Sequence, residues 1–194
     1  AGDASMQVTH TGGSQWRVDM QVVGRRGFAS VLGLNIEQST VFEERGGTYA
    51  PLSQSTVRKG LFLGKKAVGT YNWQAGTAQW SGDVKKDRAQ PIPLQPGDQS
   101  ALLINLAIAR DLAAGKPLTY RMVDEGRIKN MTYRVIGKEA ITVGGKSYDA
   151  TKVSRADGNK ELIAWIVPEF PVPARMLQRE SGRDALDLTI KAMN

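Results

Sequence analysis

A single histidine, no cysteine and scattered carboxylates are what this 194-residue sequence offers for chemistry. His10 lies in "VTHTGG", and a Ser-His-acid triad would have to be built on it. No nucleophile-elbow pattern accompanies it, so it reads as a surface histidine. Zinc sites draw several ligands from Cys and His, which this chain does not supply. The lack of cysteine also removes disulfides, thiolate metal sites and cysteine nucleophiles. "VGGKS", Val143 to Ser147, resembles the tail of a phosphate-binding loop. The earlier glycine of such a loop would fall on Ala140, and a strand-like run follows where a helix is required. Gly144-Gly145 between two alternating runs suits a hairpin turn instead. Glycoside chemistry needs two carboxylates facing across a cleft. Glu43, Glu44, Asp83, Asp124 and Glu125 fall at strand ends and turns, with no pattern pairing any two. A glycan-acting enzyme is therefore the third-ranked reading, and neither cofactor nor metal is expected.

The tryptophans carry more information. Trp16, Trp73, Trp80 and Trp165 each sit in a strand-like segment, and ordinary core packing is the simplest explanation. The functional alternative is an apolar pocket lined by these rings with Met20, Met122, Met131 and Met176, together with Leu106 of a central helix. Thioethers and aromatic rings adapt to irregular apolar ligands such as acyl chains.

Strands must position these residues. In "QWRVDMQV", Trp16, Val18, Met20 and Val22 share one face, and Gln15, Arg17, Asp19 and Gln21 the other. From Pro117 onward alternating runs are separated by "DEGR", "GG", "DGN" and "ESGRD", the signature of an antiparallel meander. The first half is similar: a long strand bent at Gly33 or Gln38, further strands, and a hairpin through Gln74-Ala75-Gly76. "DRAQPIPLQPG" is extended and excluded from a central ladder, because proline lacks the N–H.

One segment differs. "GDQSALLINLAIARDLAAGKP" predicts a helix near residues 99–114, capped by Asp98 and stopped by Gly115 and Pro117. Its apolar residues cover almost every direction, which places it in an interior. A lone buried helix with a long antiparallel sheet implies an α+β, mainly β fold: a strongly curved sheet, or incomplete β-barrel, wrapped around the helix. No linker or repeat divides residues 1–194, so one domain is expected.

Hydrophobic residues make up 41% and charged residues 23%, and no run approaches the roughly 20 apolar residues of a membrane-spanning helix. The net charge is +7, with basic pairs at Arg25-Arg26, Lys65-Lys66 and Lys85-Lys86. No basic run is interleaved with aromatics, so nucleic acid is not an expected partner. The charge reads first as solvated turn tips and second as affinity for anionic envelope surfaces. The opening "AGDASMQV", made of small residues, matches what remains after signal-peptide removal.

In order along the chain, an alternating strand pair, "TYAPLSQSTVRKG", the approach to "LQPGDQSALLINLA", "YRVIGKEAITVGGKSYDATKVSR" and "AWIVPEFPVPARMLQRESGRDALDLTI" resemble the bacterial exported Domain of Unknown Function 3108 family. Asp98 and Ser100 at the helix start and Pro171-Val172-Pro173 carry the resemblance most directly. It implies a periplasmic protein whose fold is similar to the half-barrels of envelope lipoprotein carriers, and it implies no established activity. The leading expectation is a non-enzymatic binding protein holding a lipid or acyl chain. The alternative is an envelope scaffold or protein-binding module with a solid core.

Overall fold

The structure is a computed structural model that describes residues 2–24, 35–60 and 64–190. Gly33 and the Arg25-Arg26 pair lie outside the described residues. Seven strands form the first sheet in chain order: β1 (Gly2–Gly12), β2 (Gln15–Gly24), β3 (Asn35–Arg45), β4 (Thr48–Lys59), β5 (Gly64–Asn72), β6 (Thr77–Gly82) and β7 (Ile92–Pro93). The proline-rich approach thus contributes only a two-residue edge strand, as the missing proline donor requires. Pro51 is the apparent exception within β4. It sits at a bulge where the β3–β4 register shifts between Val41 and Phe42, so no regular ladder bond is lost there.

The helix α1 (Ala101–Ala113) follows, then the hairpin β8 (Thr119–Asp124) and β9 (Arg127–Thr132). A five-stranded sheet closes the chain: β10 (Arg134–Val143), β11 (Lys146–Asp157), β12 (Lys160–Ile166), β13 (Arg175–Glu180) and β14 (Arg183–Thr189). The expected curved sheet is therefore shared between two large antiparallel sheets and a hairpin. Among the described residues no ladder joins the large sheets, so the barrel is incomplete. The turns take the chemistry written for them. Gly144-Gly145 and Ser181-Gly182 have positive φ at both central positions, as a tight twisted hairpin demands.

α1 is apolar all round because both sheets use it. Leu102, Leu103 and Leu106 pack on Val18 and Phe42 of the first sheet. Ile104, Ala107 and Ile108 pack on Val153, Ala164 and Ile166 of the second and on the β8–β9 hairpin. The second sheet is buried on its other face as well, where Ile163, Trp165 and Leu177 meet Phe170 and Tyr148. A fourth cluster, Tyr71, Ala78, Trp80, Ile92 and Val123, lies beside the hairpin under β5–β7. Trp80 lies over Gly69, where any Cβ would collide with the indole, and its Nε1 donates to Gln54 Oε1 at 3.1 Å.

The helix ends correct one expectation. Asp98 does not cap α1: its Oδ2 accepts from the Gln95 backbone N–H at 2.7 Å and from the Arg121 guanidinium. The cap is Ser100, whose Oγ accepts from the Leu103 N–H at 3.1 Å. Asp124, arriving from β8, accepts from the Ala101 N–H at 2.8 Å. At the other end Gly115 (φ +67°) donates to Leu112 O and Lys116 to Asp111 O, a Schellman closure.

Candidate functional site

The inner face of the first sheet and one face of α1 leave an open groove of about 480 Å³. Alternation along β1, β2 and β3 turns Val8, Trp16 and Phe42 into it, and β4 adds Tyr49. From α1 come Leu106, Ala109, Arg110 and Ala113, spaced so that they fall on one helical face. Pro168, Phe170 and Pro171, in the connection between β12 and β13, form the remaining wall. The room exists because Ala109 and Ala113 present only methyl groups where leucines stand elsewhere on the helix.

The polar groups of the groove are tied to one another. Arg110 lies over the Tyr49 ring at 4.5 Å and donates to Asp111 at 2.8 and 3.1 Å and to the Gly47 carbonyl at 2.8 Å. Asp111 is buried and also accepts from Tyr120 Oη at 2.9 Å. Burial and this carboxylate raise the Tyr120 phenol well above its ordinary range, so it stays a neutral donor. Burial likewise raises Tyr49. Glu44 accepts from the Gly47 N–H at 3.1 Å. The result is an apolar trough with an internally balanced ion pair at one side, suited to holding apolar matter.

The first turn of α1 is the opposite environment. Thr40 and Ser100 share a buried hydrogen bond of 2.9 Å, and Gln54 donates to Thr56 at 2.6 Å beside them. Gln99 reaches the Tyr49 carbonyl at 2.9 Å, and the Tyr71 hydroxyl donates to Val123 O at 2.5 Å. Asp124 is buried with Oδ1 lacking a partner, and burial lifts its pKa to about 6 against the opposing hydrogen bond from Ala101. A smaller polar groove of about 370 Å³ opens beside it, with Met122 and Met131 at its base and Arg58, Arg127 and Arg155 among its walls.

The nine residues expected to line one apolar pocket are distributed over five places. Trp16 and Leu106 line the 480 Å³ groove, and Met122 and Met131 the polar one. Met20 and Met176 meet at a narrow seam where β1 faces β14. Trp80 is sealed in the cluster under β5–β7; Trp73 packs against that cluster and donates to Pro51 O at 2.8 Å. Trp165 faces away from α1, held between the Lys152 and Arg175 cations with Nε1 on Glu139 at 2.7 Å. Phe42, Tyr49, Ala109, Ala113 and Phe170 were not singled out from the sequence. The i, i+4 spacing of Ala109 and Ala113 along one face of the helix was the available signal.

The catalytic candidates occupy structural posts. His10 donates from Nε2 to the Gly13 carbonyl at 2.7 Å and lies 4.5 Å from the Trp16 ring. Glu43 pairs with Arg45, Asp83 accepts from the Lys66 N–H, and Glu125 pairs with Arg58. Among the described residues no three His, Cys, Asp or Glu side chains stand together as a metal site. Among the same residues no helix is long and apolar enough to cross a membrane.

These features define an α+β, mainly β protein whose incomplete barrel encloses one helix. The chain belongs to the DUF3108 family, described as a protein of unknown function, whose model matches residues 1–184. No curated protein matches the sequence. Among solved structures, a DUF1089 family protein from Pseudomonas aeruginosa is similar over 89% of this chain and 88% of its own, at 9% identity and a TM-score of 0.43.

Proposed function

We propose that this chain is an exported, periplasmic, non-enzymatic protein that holds an apolar ligand, an acyl chain of a lipid or lipoprotein, in the groove between α1 and the first sheet. One observation carries the reading: beside a helix packed on nearly every side, Ala109 and Ala113 leave an open, mostly apolar space of about 480 Å³. That volume falls in the range of roughly 300–1,000 Å³ occupied by small-molecule sites. The positive net charge suits a protein working near anionic envelope surfaces.

Native mass spectrometry of protein recovered gently from its cell envelope tests the reading, with displacement of the fluorescent fatty acid cis-parinaric acid as the solution assay. The expected outcome is an adduct of lipid mass and a displaceable probe, both lost in Ala109→Trp. A bare polypeptide mass and no probe uptake by the unaltered protein would remove the proposal.

A second reading rests on β10. This ten-residue strand pairs only with β11 among the described residues and exposes Val135 and Ile136. Such an edge can accept a strand from a protein partner. A cross-linked, stoichiometric partner lost on Val135→Lys, with no lipid bound, would favour the scaffold role.

A further inference from the structure

The basic pairs that are dispersed in the sequence are gathered by the fold. Antiparallel register sets Arg58 opposite Lys65 and Lys59 opposite Gly64 at the β4–β5 end of the first sheet. β6 ends at the same place, where Asp83 N–H donates to Lys66 O at 2.8 Å and Asp83 Oδ2 accepts from the Lys66 N–H at 2.7 Å. The chain then runs directly into Lys85 and Lys86. The β8–β9 turn is fastened to this end twice. Glu125 pairs with Arg58 at 2.8 Å, and Gly126 lies so close to the Arg88 carbonyl that a Cβ there would collide with it.

One end of the molecule therefore presents Lys59, Lys65, Lys66, Lys85 and Lys86 as exposed ammonium groups, with Arg58 and Arg127 beside them. Among the described side chains the carboxylates beside these cations, Glu37, Asp83, Asp87 and Glu125, are outnumbered. Three of the four are already engaged, Glu37 with Lys59, Asp83 with a backbone amide and Glu125 with Arg58 and Arg127. Among the described residues the end holding the apolar groove lacks this excess: there Glu43 faces Arg45, and Asp111 faces Arg110.

We infer that this cationic end docks the protein on a bilayer carrying anionic lipid headgroups. The inference extends the reading of the charge and is independent of whether the groove holds a ligand. Ammonium groups on several turns of one end can meet a plane of phosphates together, and each Lys near an anionic surface strengthens binding several-fold. Ile128, exposed between Arg127 and Lys129, and Val68, exposed on β5 beyond Lys66, add apolar contact of the kind a lipid interface accepts. Among the described residues no exposed aromatic side chain stands among these cations to stack bases.

Co-sedimentation with phosphatidylglycerol/phosphatidylcholine vesicles, against pure phosphatidylcholine, tests the assignment on the full chain. Lys65, Lys66, Lys85 and Lys86 are changed together to Gln, and Lys116 and Lys146, exposed elsewhere, form the control double Gln variant. The unaltered protein is expected on anionic vesicles only, released as salt rises. The four-site variant should lose about tenfold or more of its binding, and the control much less. Circular dichroism of both variants secures the comparison, since every altered side chain is exposed. Equal losses in both variants, no preference for anionic vesicles, or tighter retention by duplex DNA than by vesicles would each overturn the inference. Probe uptake in the groove is expected to be unchanged in the four-site variant, so failure here and failure of the ligand reading are separately visible.

Discussion

At its first turn α1 is held by Ser100, Asp124 and Thr40 in a buried set of hydrogen bonds. Two turns later Ala109 and Ala113 face an open trough. One helix thus has an end fixed by polar wiring and close packing and an end left unfilled. The fixed end sets the position of the helix, so the open end can stay empty without the helix sliding in to fill it. Apolar packing alone would not discriminate between nearby positions of a helix that is apolar on all sides, whereas hydrogen bonds to particular buried oxygens do.

Changing the fixed end should cost most. Leu103 is fully buried against the first sheet, and Leu103→Ala is expected to lower unfolding stability by about 3–5 kcal/mol. Urea denaturation measures it, and a loss below about 1 kcal/mol would mean that this end is no better packed than the groove.

Asp124 gives the next effect, read through pH. Its folded pKa of about 6 exceeds the ordinary 3.8 because of burial, so the native state keeps a proton that the unfolded chain releases. Its contribution favours folding below pH 4, weakens as pH rises from 4 to 6, and then levels off, a change on the order of 3 kcal/mol. Asp187, lowered first by its hydrogen bond from Arg175, slopes the opposite way. The test is therefore the difference between the unaltered protein and Asp124→Asn. Thermal melts from pH 4 to 7 should show Asp124→Asn gaining relative stability across that window; parallel curves would contradict the assignment.

Ser100→Ala removes the cap and strands the Thr40 hydroxyl, at about 1–2 kcal/mol. If the double variant with Thr40→Val costs no less than the single one, the buried bond is not what matters. At the open end, Ala109→Leu should change stability by less than about 0.5 kcal/mol while lowering uptake of an apolar probe. A large destabilisation there would show that the trough is already filled.

What could be read from the sequence was mostly local. Gly144-Gly145 announces its own turn, and the apolar girdle of α1 announces burial, because each signal lies within a few residues. The cap falls on Ser100 and not on Asp98 because Asp98, two residues earlier, is taken up by Arg121 and the Gln95 N–H; the second acceptor at this end, Asp124, reaches Ala101 from 23 residues further along the chain. The tryptophans were ambiguous for a related reason. Alternation says that Trp165 points to one face of β12, but both faces of that sheet are buried, so pattern alone does not say which one meets α1. The cationic end was hidden in the pairing registers, since Lys65-Lys66 and Lys85-Lys86 are neighbours only through the β5–β6 hairpin.

Among the described residues every ladder between strands joins strands consecutive in the chain. Hairpins of that kind close over short loops, at little entropic cost, and form early. α1 is different, because Leu103 and Ile104 reach their contacts only when both large sheets are present. Burial of the helix is therefore expected to be the late event in folding, with Leu103→Ala accelerating unfolding far more than it slows folding. Stopped-flow kinetics would reveal this partition, and a mainly slowed folding rate would instead place α1 in the nucleus. On this view the meander assembles as two shells, and the helix is the piece that makes them one molecule.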